Sequence, residues 1–296
     1  MGISADAGRQ VLTEVDHNRQ KKVAVINDYS SFGRCSLAAS VPILAAMRIQ
    51  CCAVPTAVFT NHTGFKNFSY ADMTDRMDAY IADWQATGLS FSAIASGYLA
   101  SERQIDYVRR FIENFSSDVH LHFQPPPLTF VDPVMGDYGK LYPSFRREVA
   151  EGLRALVLIA DYLVPNLTEA CVLADRSYDP EMSEKEIGEL AASLATPRTK
   201  GLVITGVPRE GYLVNYVYTP NAPLETIATA KIGPDRSGTG DVFASVILGG
   251  LVNGKPLAEA VRAAVTFVSH AVARAEAMQI PTTDGLPFEE ILNELW

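Results

Sequence analysis

With 296 residues, 48% of them hydrophobic and 20% charged, the chain can bury a sizeable core and lacks the composition of a disordered segment. A net charge of -9 and a pI near 5.1 argue against a binder of duplex nucleic acid, so no nucleic-acid partner is expected. No apolar run reaches the roughly 18 residues of a membrane span, the N-terminus lacks a secretory apolar region, and Cys35, Cys51, Cys52 and Cys171 show neither C-x-x-C nor metal-ligand spacing. The expectation is free thiols, no membrane partner and a cytoplasmic location.

Residues 1–20 are polar and aperiodic and are expected to form a flexible N-terminal extension, with 21–296 as a single domain. From there, apolar β-rich runs near 21–27, 49–59, 92–96, 128–132, 161–165 and 201–207 alternate with amphipathic runs near 34–47, 72–87, 101–115, 145–159, 183–195, 240–252 and 256–277. Such alternation predicts an α/β fold with a mostly parallel central sheet and helices on both faces. After residue 201 the runs GLVITGV, GYLVNYVYT and LETIATAKI follow one another without helices, which predicts an antiparallel edge. His120 and His122 alternate ahead of Pro125-Pro126-Pro127 with no partner at metal spacing, and are read as part of a surface strand.

Ligands of open α/β sheets sit beyond the carboxyl ends of the strands, and the polar clusters of this sequence fall there. They are Asn27-Asp28-Tyr29-Ser30-Ser31-Phe32-Gly33, Thr60-Asn61-His62-Thr63-Gly64, Ser96-Gly97-Tyr98, Asp132 to Asp137, Pro165 to Glu169, Thr205-Gly206, and Ser237-Gly238-Thr239-Gly240-Asp241. The last is the most informative. Its glycines allow close backbone approach, and consecutive N–H groups at a helix start form a cradle for an anion such as a transferring phosphoryl group. A carboxylate beside a bound phosphate is costly unless it has chemical work, and Asp241 is the candidate base that takes a proton from an attacking hydroxyl. The alternative is that Asp241 only stabilises a helix N-terminus. Two other phosphate motifs fail on context: Phe243 occupies the third glycine position of a dinucleotide fingerprint, and Pro256 replaces the Ser/Thr of G-x-x-x-x-G-K-[ST].

SGTGD before an apolar helix, together with NDYSSFGRCSL, TAVFTNHTGF, SGYL, VDPVMGDYGKLYP and VPNLTEA, resembles the ribokinase-like superfamily, and within it the pyridoxal/pyridoxamine kinases, in one order from about residue 22 to 276. The resemblance implies a ribokinase-like three-layer fold and ATP-dependent phosphorylation of the 5′-hydroxymethyl group of a B6 vitamer. It implies that Asp241 deprotonates that hydroxyl while the amides of Gly238, Thr239 and Gly240 form the anion hole. Asn166 and Glu169 would hold the Mg²⁺–phosphate assembly, Glu169 through water. Asp132 and Asp137 would add negative charge, offset by Mg²⁺ with ATP and by a monovalent cation such as K⁺. His62 and Thr63 would lie near the pyridine ring and Tyr98 beside it, while Thr205, Gly206, Ser237 and Tyr142 would border the ATP phosphates. A homodimer is expected, since relatives are commonly dimeric.

Asn166 and Glu169 also suit a plain helix start, and Arg236 suits either a phosphate contact or a loop. This chain departs from many pyridoxal kinases in carrying Asp28 for serine, and Phe32-Gly33-Arg34 for tyrosine-glycine-histidine. Asp28 is expected to pair with a protonated ring nitrogen or amine. The competing readings are a hydroxymethylpyrimidine kinase of the same fold and a non-catalytic vitamer-binding protein.

Overall fold

The computed structural model describes residues 17–116, 125–142 and 147–296. Most of the expected extension, and His120 and His122, lie outside the described residues. Residues 17–20 form a turn, where Asn18 Nδ2 donates to Gly88 O and Asn18 Oδ1 accepts from Ser90 N.

Nine strands form one sheet. In chain order the elements are β1 (Lys22–Ser30), α1 (Ser36–Ala46), β2 (Gln50–Phe59), β3 (Tyr70–Asp72), α2 (Thr74–Ala86), β4 (Ala93–Ser96), α3 (Glu102–Ser116), β5 (Leu128–Val131), β6 (Gly136–Asp137), β7 (Lys140–Leu141), α4 (Arg147–Val157), β8 (Tyr162–Leu163), α5 (Leu167–Leu173), α6 (Glu184–Leu194), β9 (Gly201–Arg209), β10 (Tyr212–Tyr218), β11 (Glu225–Ala230), α7 (Thr239–Val252) and α8 (Leu257–Ala277). Short 3-10 turns at 282–284 and 288–295 end the chain. The sheet order is β11-β10-β9-β8-β5-β4-β1-β2-β3, while β6 and β7 make a separate hairpin. The inner pairs β9-β8, β8-β5, β5-β4, β4-β1 and β1-β2 are parallel, and β9-β10, β10-β11 and β2-β3 are antiparallel.

Both faces of the central strands are covered, which is why these strands read as continuous apolar runs. Alternation within β1 sends Ala24 and Ile26 into the core under α2 to α6, and Val23 and Val25 into the core under α1, α7 and α8. α7 is buried from Val242 to Leu251, because it packs between α1 and α8. The α/β, mostly parallel, three-layer fold with an antiparallel β9–β11 edge is as expected from the sequence. A second antiparallel edge, β3, and the β6–β7 hairpin were not, and α5 begins at the helix start that was the alternative reading of Asn166 and Glu169. Among the described residues no helix is long and apolar enough to cross a membrane.

Candidate active site

The carboxyl ends of β1, β4 and β5 and the start of α7 converge, where Asn27, Ser96, Gly97, Asp132 and Asp241 line one cavity. Asp241 is the third residue of α7, and the first helical hydrogen bond runs from Val242 N to Gly238 O. The N–H groups of Thr239 and Gly240 therefore have no intrahelical acceptor and form the mouth of the helix. Gly238, at φ 75°, is required as glycine: a Cβ there would lie 1.9 Å from Arg34 O. A Cβ on Gly240 would meet nothing within 4 Å, so that side of the loop opens onto free space. Thr239 Oγ1 is spent locally on Arg236 O at 2.9 Å, and Ser237 N donates to Thr282 O.

Asp241 is half-buried and carries no cation partner among the described residues. Its carboxylate accepts from Ser36 N and from Asn27 Nδ2, the latter at 3.3 Å. Burial pushes its pKa up to about 6, Asp28 adds to the rise, and the hydrogen bonds moderate it. A carboxylate with a pKa near 6 is mostly ionised at neutral pH yet basic enough to share a hydroxyl proton. Ser36 holds this arrangement from a left-handed φ of 52°, its N–H on Asp241 and its hydroxyl on Asp28 at 2.6 Å.

Asp132, beyond β5, has its carboxyl pushed well above the usual range by burial, then by Glu169 and Asp241. No lysine or arginine bonds it among the described residues. Negative charge gathered without a counter-charge is the setting in which a bound cation lowers the free energy most. Tyr142, half-exposed, has its hydroxyl pKa shifted upward by burial and then by the charges of Glu169, Asp137, Asp132 and Asp241.

Several expected ligands are engaged elsewhere. Asn166 and Glu169 close a capping box on α5: Asn166 Oδ1 accepts from Glu169 N at 2.9 Å and Glu169 Oε2 accepts from Asn166 N at 2.8 Å. The spare groups hold the loop after β5, Glu169 Oε1 accepting from Met135 N at 3.0 Å and Asn166 Nδ2 donating to Gly136 O at 2.8 Å. Gly139 N adds a bond to Thr168 Oγ1 at 2.8 Å. Asp137 lies exposed on the hairpin, accepting from Tyr138 N. Asp132, Asp137 and Glu169 thus do not converge as a direct metal cage, and no cluster of three metal-ligating side chains exists among the described residues. Asp28 is buried and accepts from Ser30 Oγ and Ser36 Oγ.

His62 is packed between Gly33 and Gly64, since a Cβ on either would come within 3.0 Å of its ring. Its Nδ1 accepts from Gly64 N at 3.1 Å, so Nε2 carries the proton and donates to Thr283 O at 2.7 Å. Thr63 is exposed beside it, and Tyr98 is half-buried at the end of β4. Gly206, at φ 64° with open space around it, follows Thr205, and its N donates to the buried Asn215 Oδ1 at 3.0 Å.

Sequence reasoning missed the segment 280–289. It receives Arg236 at Ile280 O, Ser237 N at Thr282 O, His62 at Thr283 O and Arg34 at Asp284 O, and Arg34 Nε is shared between the two carboxylate oxygens of Glu289 at 2.8 and 2.9 Å. Arg236 is consequently a clamp between the cradle loop and the end of α8, where it meets Glu276 at 2.6 Å, and is not aimed at a ligand. No motif marks this stretch, and only its proline and glycine positions hint at a shaped turn.

The sequence and fold of the chain match known proteins. A family model described as phosphomethylpyrimidine kinase matches residues 36–285. A candidate phosphomethylpyrimidine kinase from Bacteroides thetaiotaomicron is 35% identical with a TM-score of 0.89, covering 95% of this chain and 96% of that one, and was also crystallised with pyridoxal. The pyridoxal kinase of Lactobacillus plantarum is 26% identical with a TM-score of 0.84, over 93% and 96% of the two chains. A pyridoxine/pyridoxal/pyridoxamine kinase of Bordetella bronchiseptica is 24% identical over 258 residues, which is 85% of this chain and 88% of the relative. The chain belongs to the phosphomethylpyrimidine kinase family, whose matched span takes in the cradle, Asp241, β4 and β5 and leaves out β1.

Proposed function

We propose that the protein is a B6-vitamer kinase, transferring the γ-phosphoryl group of ATP to the 5′-hydroxymethyl group of pyridoxal, pyridoxamine or pyridoxine. The observation that carries this reading is Asp241, a carboxylate with a pKa near 6, set beside the unpaired Thr239 and Gly240 amides at the open mouth of α7.

In this mechanism Asp241 accepts the hydroxyl proton, and the alcohol oxygen forms a bond to the γ-phosphorus as the bond to the β–γ bridging oxygen breaks, releasing ADP. The Gly238–Gly240 backbone faces the charge that grows on the transferring oxygens. Mg²⁺ bound with ATP would neutralise phosphate charge, and Asp132 is the carboxylate best placed to attract it. Because Glu169 and Asn166 are occupied by the capping box, their part is to hold the Asp132–Tyr142 loop. A monovalent cation such as K⁺ would relieve the same excess of negative charge. Thr205, Gly206, Ser237 and Tyr142 border the ATP side, and Tyr98, Thr63 and His62 the vitamer side. The vitamer side also holds Phe32, half-exposed and 5.4 Å from Phe65. These aromatic faces suit a planar heterocycle.

Hydroxymethylpyrimidine phosphorylation is the second reading, favoured by the family match itself, and the relative crystallised with pyridoxal favours the first. A panel of pyridoxal, pyridoxamine, pyridoxine and hydroxymethylpyrimidine with Mg·ATP decides between them, kcat/KM being expected highest for a B6 vitamer. Turnover of hydroxymethylpyrimidine alone would reverse the assignment, and no ATP consumption with any of the four would remove both. Light scattering of the purified protein tests the expected homodimer.

A further inference from the structure

Asn27 ends the apolar run of β1 and is buried. Its Oδ1 accepts two backbone bonds, from Asp28 N at 2.9 Å and from Tyr98 N at 2.8 Å. An amide oxygen held by two donors fixes the orientation of its group, so Nδ2 is the end that faces Asp241 Oδ1, 3.3 Å away. Gly97 supplies the room: a Cβ there would lie 2.4 Å from Asn27 Nδ2. The charged groups around Asp241 are Asp28 from β1 and Asp132 from beyond β5. Neither can donate as a carboxylate. The donors that orient the Asp241 carboxylate are therefore the Ser36 amide, Asp241's own amide and the Asn27 side chain, and of these Asn27 also accepts from the backbone of Tyr98.

We propose that Asn27 is a positioning residue for phosphoryl transfer. Its single amide ties the wall of the vitamer pocket at Tyr98 to the proton acceptor Asp241, so that a ring resting on Tyr98 presents its hydroxymethyl oxygen to that carboxylate. The proposal rests on reading Asp241 as the proton acceptor.

The two ends of the amide can be separated experimentally. Asn27→Asp keeps an oxygen for the Asp28 and Tyr98 N–H groups and removes the amide donor, whereas Asn27→Ala removes both ends. Steady-state kinetics with pyridoxal and Mg·ATP should show kcat lowered about 10- to 100-fold in Asn27→Asp, with the pyridoxal KM within about threefold of wild type, since misplacement of a reacting group by about 1 Å costs that order. Asn27→Ala should lower kcat and also raise KM. Gly97→Ala, which crowds the amide without removing it, should reproduce the kcat loss. Placed in an Asp241→Asn background, Asn27→Asp should change the residual kcat by less than about threefold, because the group it orients is gone. Thermal unfolding confirms that each variant is folded.

Wild-type kcat in Asn27→Asp, or an undiminished effect of Asn27→Asp in the Asp241→Asn background, overturns the proposal while leaving the function intact. Near-normal turnover by Asp241→Asn alone overturns the reading of Asp241 and the proposal with it.

Discussion

Two helix starts face the carboxyl end of the sheet with one spacing, Gly238-x-x-Asp241 on α7 and Asn166-x-x-Glu169 on α5, and they do opposite things. At α5 the cap is an asparagine and the acid at the third helical position folds back, so the side chains consume the amide donors and the carboxylate is satisfied by backbone. At α7 the cap is a left-handed glycine with no side chain to offer. Its amides stay open, and the acid at the third position turns instead to Asn27 and Ser36. A side chain at the cap closes a helix start into structure. Its absence leaves donors for a ligand, at the cost of holding an acid among other acids.

The widest separation between the two starts is expected from removing each acid. Asp241→Asn should lower kcat by about 10²–10⁴. The same change should leave the free protein as stable or up to about 1–3 kcal/mol more stable in thermal unfolding, because it removes a carboxylate that burial disfavours. Glu169→Ala should do the reverse in stability, losing about 1–3 kcal/mol as Met135 N and Asn166 N lose their acceptor. Its kcat should fall less than that of Asp241→Asn.

The glycines of the open start sharpen the contrast. Gly238→Ala drives a Cβ into Arg34 O at a left-handed φ and should cost about 1–3 kcal/mol of stability. Gly240→Ala meets no protein atom and should keep or slightly raise the unfolding temperature, while lowering activity about tenfold by intruding where the phosphoryl group is placed. Equal stability losses in both variants would mean that the loop is an ordinary turn.

The pH dependence separates chemistry from stability in the same way. Activity needs ionised Asp241 and should fall as pH drops through about 6. The folded pKa of Asp241 lies above that of the unfolded chain, so the folded state binds the extra proton. Its contribution to stability is therefore most favourable below the unfolded value and declines as pH rises through about 6. Denaturant titrations at several pH values should show this slope in wild type and a weaker one in Asp241→Asn. The smallest effect is expected from Thr168→Val, which removes the bond from Gly139 N and should cost about 1 kcal/mol or less, with a modest rise in the ATP KM.

Much of this was legible in the sequence. The apolar runs gave the parallel strands and the long helices within a few residues, and SGTGD gave the α7 start with Asp241 in place. What was not legible was short or reached across the chain. α5, with seven residues, and β3, with three, are too brief to show a period. Asp28 was expected to face a ligand, yet its partners are Ser30 and Ser36, and Ser36 comes within reach only once α1 turns away from β1. Asn27 stood visibly at the end of its strand, but its role depends on Tyr98 and Asp241, 71 and 214 residues away. The 280–289 segment shows neither periodicity nor motif, because apart from Glu289 its role lies in backbone carbonyls that any sequence carries.

The most direct measurement is the single-turnover rate of phosphoryl transfer from Mg·ATP to pyridoxal in Asp241→Asn, at saturating concentrations of both and beside its unfolding temperature. The account predicts a chemical step slowed at least about 100-fold in a protein no less stable than wild type. A rate near wild type, or a slowing matched by loss of the fold, would contradict it.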